Sequence, residues 1–81
     1  MTLNFEIRGT PDPQMLPRVI GQLARRWVTP TKLSAKIHDG DMHIEFETQD
    51  LSQADAERVT STLQSCTLVR EVRFTMPDQP S

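Results

Sequence analysis

The chain has 81 residues, with nine Lys and Arg against eleven Asp and Glu, a net charge of -2 and a pI near 5.5. That length bounds one domain near the lower limit for a self-sufficient core, and the charge balance leaves no electrostatic footprint for nucleic acid or anionic lipid. No apolar run approaches the ~20 residues of a bilayer span, the opening MTLNFEIRG lacks the basic-then-apolar layout of a secretion signal, and the one cysteine has no internal partner, so a cytoplasmic protein is expected.

Leu3, Phe5 and Ile7 alternate with Asn4, Glu6 and Arg8, the period-two pattern of a strand with one dry and one wet face. Gly9 ends it, and GTPDP favours a turn over continued pairing.

PQMLPRVIGQLARRW, residues 13–27, carries the clearest helical period. At ~100° per residue, Met15, Leu16, Val19, Ile20, Leu23, Ala24 and Trp27 fall in one half of the wheel, opposite Pro17, Arg18, Gly21, Gln22 and Arg25. The inner half is expected to lie on a sheet, with Trp27 either filling the core or anchoring a partner. Pro17 is tolerated only in a first turn, which places the helix start near Gln14 or Met15 with Asp12 just outside its positive end.

Pro30 suits the first residue of an edge strand. Asp39-Gly40 then signals a two-residue hairpin that pairs Ile37 with Met42, Ala35 with Ile44 and Leu33 with Phe46 on one side. His38 with Asp41, Lys36 with His43, Ser34 with Glu45 and Lys32 with Glu47 share the other side, and a slip of one residue would invert them all.

A second helix begins from Asp50 or Ser52, with Leu51, Ala56, Val59, Leu63 and Cys66 on its inner arc. Cys66 reads as a small structural apolar residue, since no His or Lys neighbours it in sequence. A last strand over 68–76 alternates Val72, Phe74 and Met76 with Glu71, Arg73 and Thr75, which makes 1–76 the domain and PDQPS, 77–81, an expected disordered tail.

The order is βαββαβ, an α+β ferredoxin-like sandwich of one four-stranded antiparallel sheet with two helices on one face. Right-handed crossovers put the first and third strands in the centre. The other face then carries Asn4, Glu6, Arg8, Lys32, Lys36, His43, Glu45, Glu47, Glu71 and Arg73.

Constellations for chemistry are sparse. His38 and His43 stand diagonally at the hairpin tip, where the Asp-Gly turn and a wet face account for them better than a metal site, so no metal or cofactor is implied. There is no nucleophile with a fitting His and no phosphate-cradling glycine loop, and Arg8-Gly9 alone is a weak trace of an acylphosphatase-type anion loop. Base stacking on this fold needs aromatics on the open face, whereas Phe5, Phe46 and Phe74 point to the helices. The start of the first helix, residues 10–15, can hold a carboxylate on free backbone N–H groups.

Leu16, Arg18, Val19, Ile20 and Gly21 in LPRVIG, continuing to Arg26 and preceded by a short loop after a strand, resemble an ACT domain, and in particular the small regulatory subunit of acetohydroxyacid synthase (acetolactate synthase). The resemblance implies a non-catalytic homodimer that modulates a larger enzyme of branched-chain amino-acid biosynthesis, with an amino acid as possible effector. It carries effector contacts onto Pro11, Asp12, Gln14 and Met15, with Thr29 where the family often has Asn. Gln14 and Trp27 depart from it, standing where the family usually has glycine at the two ends of the first helix. It also implies edge-to-edge pairing into a continuous sheet, for which Trp27, Lys32, Ser34 and Lys36 are the interface candidates. A stand-alone amino-acid or small-molecule sensor and a nucleic-acid-binding ferredoxin-like domain are the alternatives.

Overall fold

The structure, a computed structural model, describes residues 2–75. Its elements run β1 (Thr2–Gly9), α1 (Met15–Arg25), β2 (Lys32–His38), β3 (Asp41–Gln49), α2 (Gln53–Gln64) and β4 (Val69–Thr75). The four strands form one antiparallel sheet in the order β2-β3-β1-β4, with β3 and β1 central as the crossover rule requires. Met76 and the 77–81 tail lie outside the described residues.

The β2–β3 hairpin has the register expected from Asp39-Gly40, from Lys32 opposite Glu47 to His38 opposite Asp41. Asp39 and Gly40 have φ of 52° and 79°, the paired left-handed geometry that matches a two-residue turn to the twist of its strands. Pro30 falls short of the sheet, and β2 opens at Lys32 after the Thr31 amide has donated to the Glu47 carbonyl at 2.8 Å.

One face of the sheet is dry. Leu3, Phe5 and Ile7 of β1, Ile44 and Phe46 of β3 and Val72 of β4 are buried against Met15, Val19 and Leu23 of α1 and Ala56, Val59 and Leu63 of α2. The Phe5 and Phe46 rings stack with centroids 4.7 Å apart and 9° between planes, and Phe74 packs on Phe5 at 5.6 Å, so all three phenylalanines face the helices. Thr48 joins them at 1% exposure, and its hydroxyl has no hydrogen-bond partner among the described residues.

Gly9 is required by close approach. A Cβ there would lie 2.2 Å from the Leu68 carbonyl oxygen and 2.7 Å from Met15 Cε, because the register shifts between Arg8 and Gly9 where β1 meets the start of β4. That shift leaves Arg70 as an extra residue on β4, and its guanidinium reaches Asp41.

The helix ends follow their local chemistry. Ser52 caps α2, its Oγ accepting from the Asp55 amide at 3.1 Å. At the start of α1 the Gln14 amide donates to Asp12 Oδ1 at 2.8 Å, so Asp12 sits at the positive end as anticipated. At the far end the Trp27 amide donates to the Ala24 carbonyl at 3.1 Å and the Val28 amide to the Leu23 carbonyl at 2.9 Å. These two bonds form a Schellman motif whose left-handed position, φ 58°, is Trp27.

That motif corrects the wheel. Trp27 stands one residue beyond the cap, where ~100° steps no longer apply, and its side chain is 94% exposed instead of filling the core. Ile20, at 44% exposure, and Ala24 also lie outside the core, which takes only Met15, Val19 and Leu23 fully and Leu16 in part. Cys66 likewise falls past the end of α2 and is half-buried.

Candidate functional site

The first candidate region is the β1–α1 loop. Pro11 and Gln14 are exposed, and Gln14 Oε1 accepts from Arg18 Nη2 at 2.9 Å. Asp12 already occupies the amide of Gln14, and the Met15 side chain is in the core beneath Gly9. Thr29 stands beyond the opposite end of α1, a helix of 11 residues and so about 16 Å long. A single chain therefore brings Pro11, Asp12, Gln14 and Met15 together and leaves Thr29 apart.

On the β1 and β4 side of the open face the charges are paired. Arg73 meets Glu6 at 3.2 Å, Arg8 meets Glu71 at 3.8 Å and Asp41 at 3.9 Å, and Arg70 also holds Asp41. Arg8 is thus committed to carboxylates and is not a free anion cradle. The His38 and His43 rings meet edge to face at 6.2 Å, and His38 Nε2 lies 3.1 Å from Asp39 Oδ2. Among the described residues no group of three His, Cys, Asp or Glu is placed to hold a metal.

The third region is the β2 edge. Lys32, Ser34 and Lys36 are exposed, with side chains standing off the open face, so they do not obstruct the unpaired backbone edge between them. On the helix side of β2, Leu33 is half-buried, Ala35 is exposed and Ile37 is 64% exposed. These residues face the side anticipated, but only Leu33 packs against the core, and Ala35 and Ile37 are left open. The flank of α1 turned away from α2, Leu16, Ile20 and Ala24, borders the same gap. Together they form an apolar strip from α1 to the free edge, too dispersed in sequence to recognise before the helices are placed.

Trp27 borders a different surface, a groove between the last turn of α1 and the first turns of α2 that also gathers Arg25, Arg26 and Arg58. Sequence reasoning put Arg25 on the outer half of the first helix and Trp27 on its inner arc and gave Arg26 and Arg58 no face, and only the helix pairing joins them.

The βαββαβ order with two helices on one face of a four-stranded antiparallel sheet defines a ferredoxin-like fold. A family model described as ACT-like domain matches residues 1–81, and the chain belongs to that family. ACT domains are generally regulatory and non-catalytic, commonly dimerise and bind amino-acid effectors. Solved structures agree in fold. The ACT domain from GTP pyrophosphokinase of Chlorobium tepidum is similar at TM-score 0.77 and 12% identity over 93% of this chain and 97% of that one. The regulatory subunit of aspartate kinase from Thermus flavus is similar at TM-score 0.68 and 18% identity over 90% and 50%. A homoserine dehydrogenase from Thiobacillus denitrificans contains a similar unit, at TM-score 0.74 and 12% identity over 90% of this chain and 16% of that one. No curated protein matches the sequence. No helix among the described residues is long and apolar enough to cross a membrane.

Proposed function

We propose that this chain is a cytoplasmic, non-catalytic ACT-like regulatory subunit that forms a homodimer and modulates a larger enzyme of branched-chain amino-acid biosynthesis, of the acetolactate synthase type. The observation that carries the dimer is the apolar strip of Ile20, Ala24, Ala35 and Ile37 beside an unpaired β2 edge. Pairing β2 with its two-fold mate at Lys32, Ser34 and Lys36 satisfies the edge backbone and covers the strip with the partner's α1. Trp27 lies on the α1–α2 groove and is not assigned to this contact.

The two-fold axis runs the two α1 helices antiparallel, which carries Thr29 of the partner subunit towards Pro11, Asp12 and Gln14. An effector carboxylate entering there displaces Asp12 from the Gln14 amide, while Met15 supplies backbone alone. Regulation then follows from unequal contacts with two states of the larger enzyme, which the effector biases further.

Light scattering should report a dimer for the native chain and a monomer for Ile37→Lys, and a monomeric native chain at high concentration would refute the interface. For the partner, the chain is titrated into an acetolactate synthase catalytic subunit and a rise in turnover is expected. Unchanged turnover at saturation would rule out that enzyme. In a thermal-shift scan of the twenty amino acids, an effector at ~100 times its Kd adds ~2.7 kcal/mol of stability.

A further inference from the structure

At the end of the molecule opposite the 10–15 loop, α1 and α2 leave between them an open groove of about 520 Å³. Its walls include Arg25, Arg26, Trp27, Val28, Leu51 and Arg58. Three arginines and the single carboxylate of Asp55 line it, a local net charge of +2 on a chain whose total is -2. The charge that excludes a basic footprint for the whole protein is thus an average over an uneven surface.

Two further observations mark the groove. Arg8, Arg18, Arg58, Arg70 and Arg73 each hold a side-chain acceptor, whereas Arg25 and Arg26 have none among the described residues. Trp27, between this pair and Val28, is the most exposed large apolar side chain described, held outward by its left-handed backbone. Unpaired guanidinium groups ask for an anion, and a bare indole face asks for a flat ring. An anion without a ring leaves the indole wet, and a neutral ring leaves the arginines unpaired.

We infer that this groove binds a free nucleoside mono- or diphosphate, with the phosphate on Arg25, Arg26 and Arg58 and the base against Trp27. The guanidinium fork matches phosphate oxygens two at a time, and an indole face accepts any base without reading its edge. The volume lies within the ~300–1,000 Å³ usual for small-ligand sites. The start of α2 adds the positive end of its dipole. Asp55 works against the ligand, since it repels phosphate and engages Arg58 at 3.5 Å. The site is separate from the β2 edge and does not rest on the regulatory reading.

Trp27 is the only tryptophan in the chain, so its fluorescence reports the groove directly. The full chain is titrated with ADP, GDP, inorganic pyrophosphate and adenosine at low salt, with calorimetry alongside. ADP and GDP should quench saturably, and pyrophosphate and adenosine should each bind roughly tenfold more weakly or not at all. By calorimetry R25A/R26A should weaken ADP by roughly tenfold or more, and Asp55→Asn should tighten it several-fold. Both variants alter exposed side chains, and circular dichroism verifies their folding. Opposite signs from variants on facing walls are what a merely structural role would not produce. Absence of saturable binding by either nucleotide, pyrophosphate binding as tightly as ADP, indifference to R25A/R26A, or a single-stranded oligonucleotide binding more tightly than ADP would each overturn the inference.

Discussion

Replacing Trp27 with glycine should make this protein more stable, although it deletes the largest side chain in the sequence. The residue occupies the left-handed position of the α1 Schellman motif at φ 58°, where a Cβ costs ~1–2 kcal/mol. Its ring is 94% exposed, so truncation removes almost no packing. Glycine relieves the backbone strain but raises the entropy of the unfolded chain by ~0.5–1 kcal/mol. The difference is a net gain of about 0.5–1 kcal/mol, equivalent to roughly 4 °C in Tm for a domain of this size. Because the mutation removes the only fluorophore of its kind, urea unfolding is followed by far-UV circular dichroism at one fixed protein concentration. Trp27→Ala is the control, since alanine keeps the Cβ and the strain and should be close to neutral. Were the indole part of the core, the glycine variant would instead lose ~3–5 kcal/mol. A loss larger than about 1 kcal/mol would therefore refute the placement of Trp27 outside the core and the reasoning built on it.

The same assay checks three further positions. Gly9→Ala should destabilise by about 2–3 kcal/mol or prevent folding, because its methyl group would meet the Leu68 carbonyl at 2.2 Å, and backbone yields less readily than a side-chain tip. Ser52→Ala should cost about 1 kcal/mol through loss of the hydrogen bond to the Asp55 amide. Thr48→Val should raise the urea midpoint by the equivalent of about 1–2 kcal/mol, since it replaces a buried hydroxyl that has no hydrogen-bond partner among the described residues with a methyl group suited to a strand. An unchanged or lower midpoint for Thr48→Val would show that the hydroxyl is satisfied in solution.

The sequence by itself determined much of what depends on near neighbours in the chain, though not the cap at Trp27. Alternation in residues 3–8, the turn residues Asp39-Gly40 and the limit that Pro17 sets on the helix start yielded the element order, the hairpin register and the side faced by all three phenylalanines. Periods of 2 and 3.6 and the dihedral demands of Gly and Pro act over a few residues, so they can be read without knowing the fold. Whether an apolar face is covered depends instead on how far a neighbouring element reaches. Only the tertiary structure left Ile20, Ala35 and Ile37 bare while burying Val19 and Ile44, because the two helices do not extend over the edge strand. Trp27 moved from the inner arc to solvent when the helix stopped two residues before it. Arg25, Arg26 and Arg58 became one surface because α1 and α2 bring together residues more than thirty positions apart, a proximity that no local period encodes.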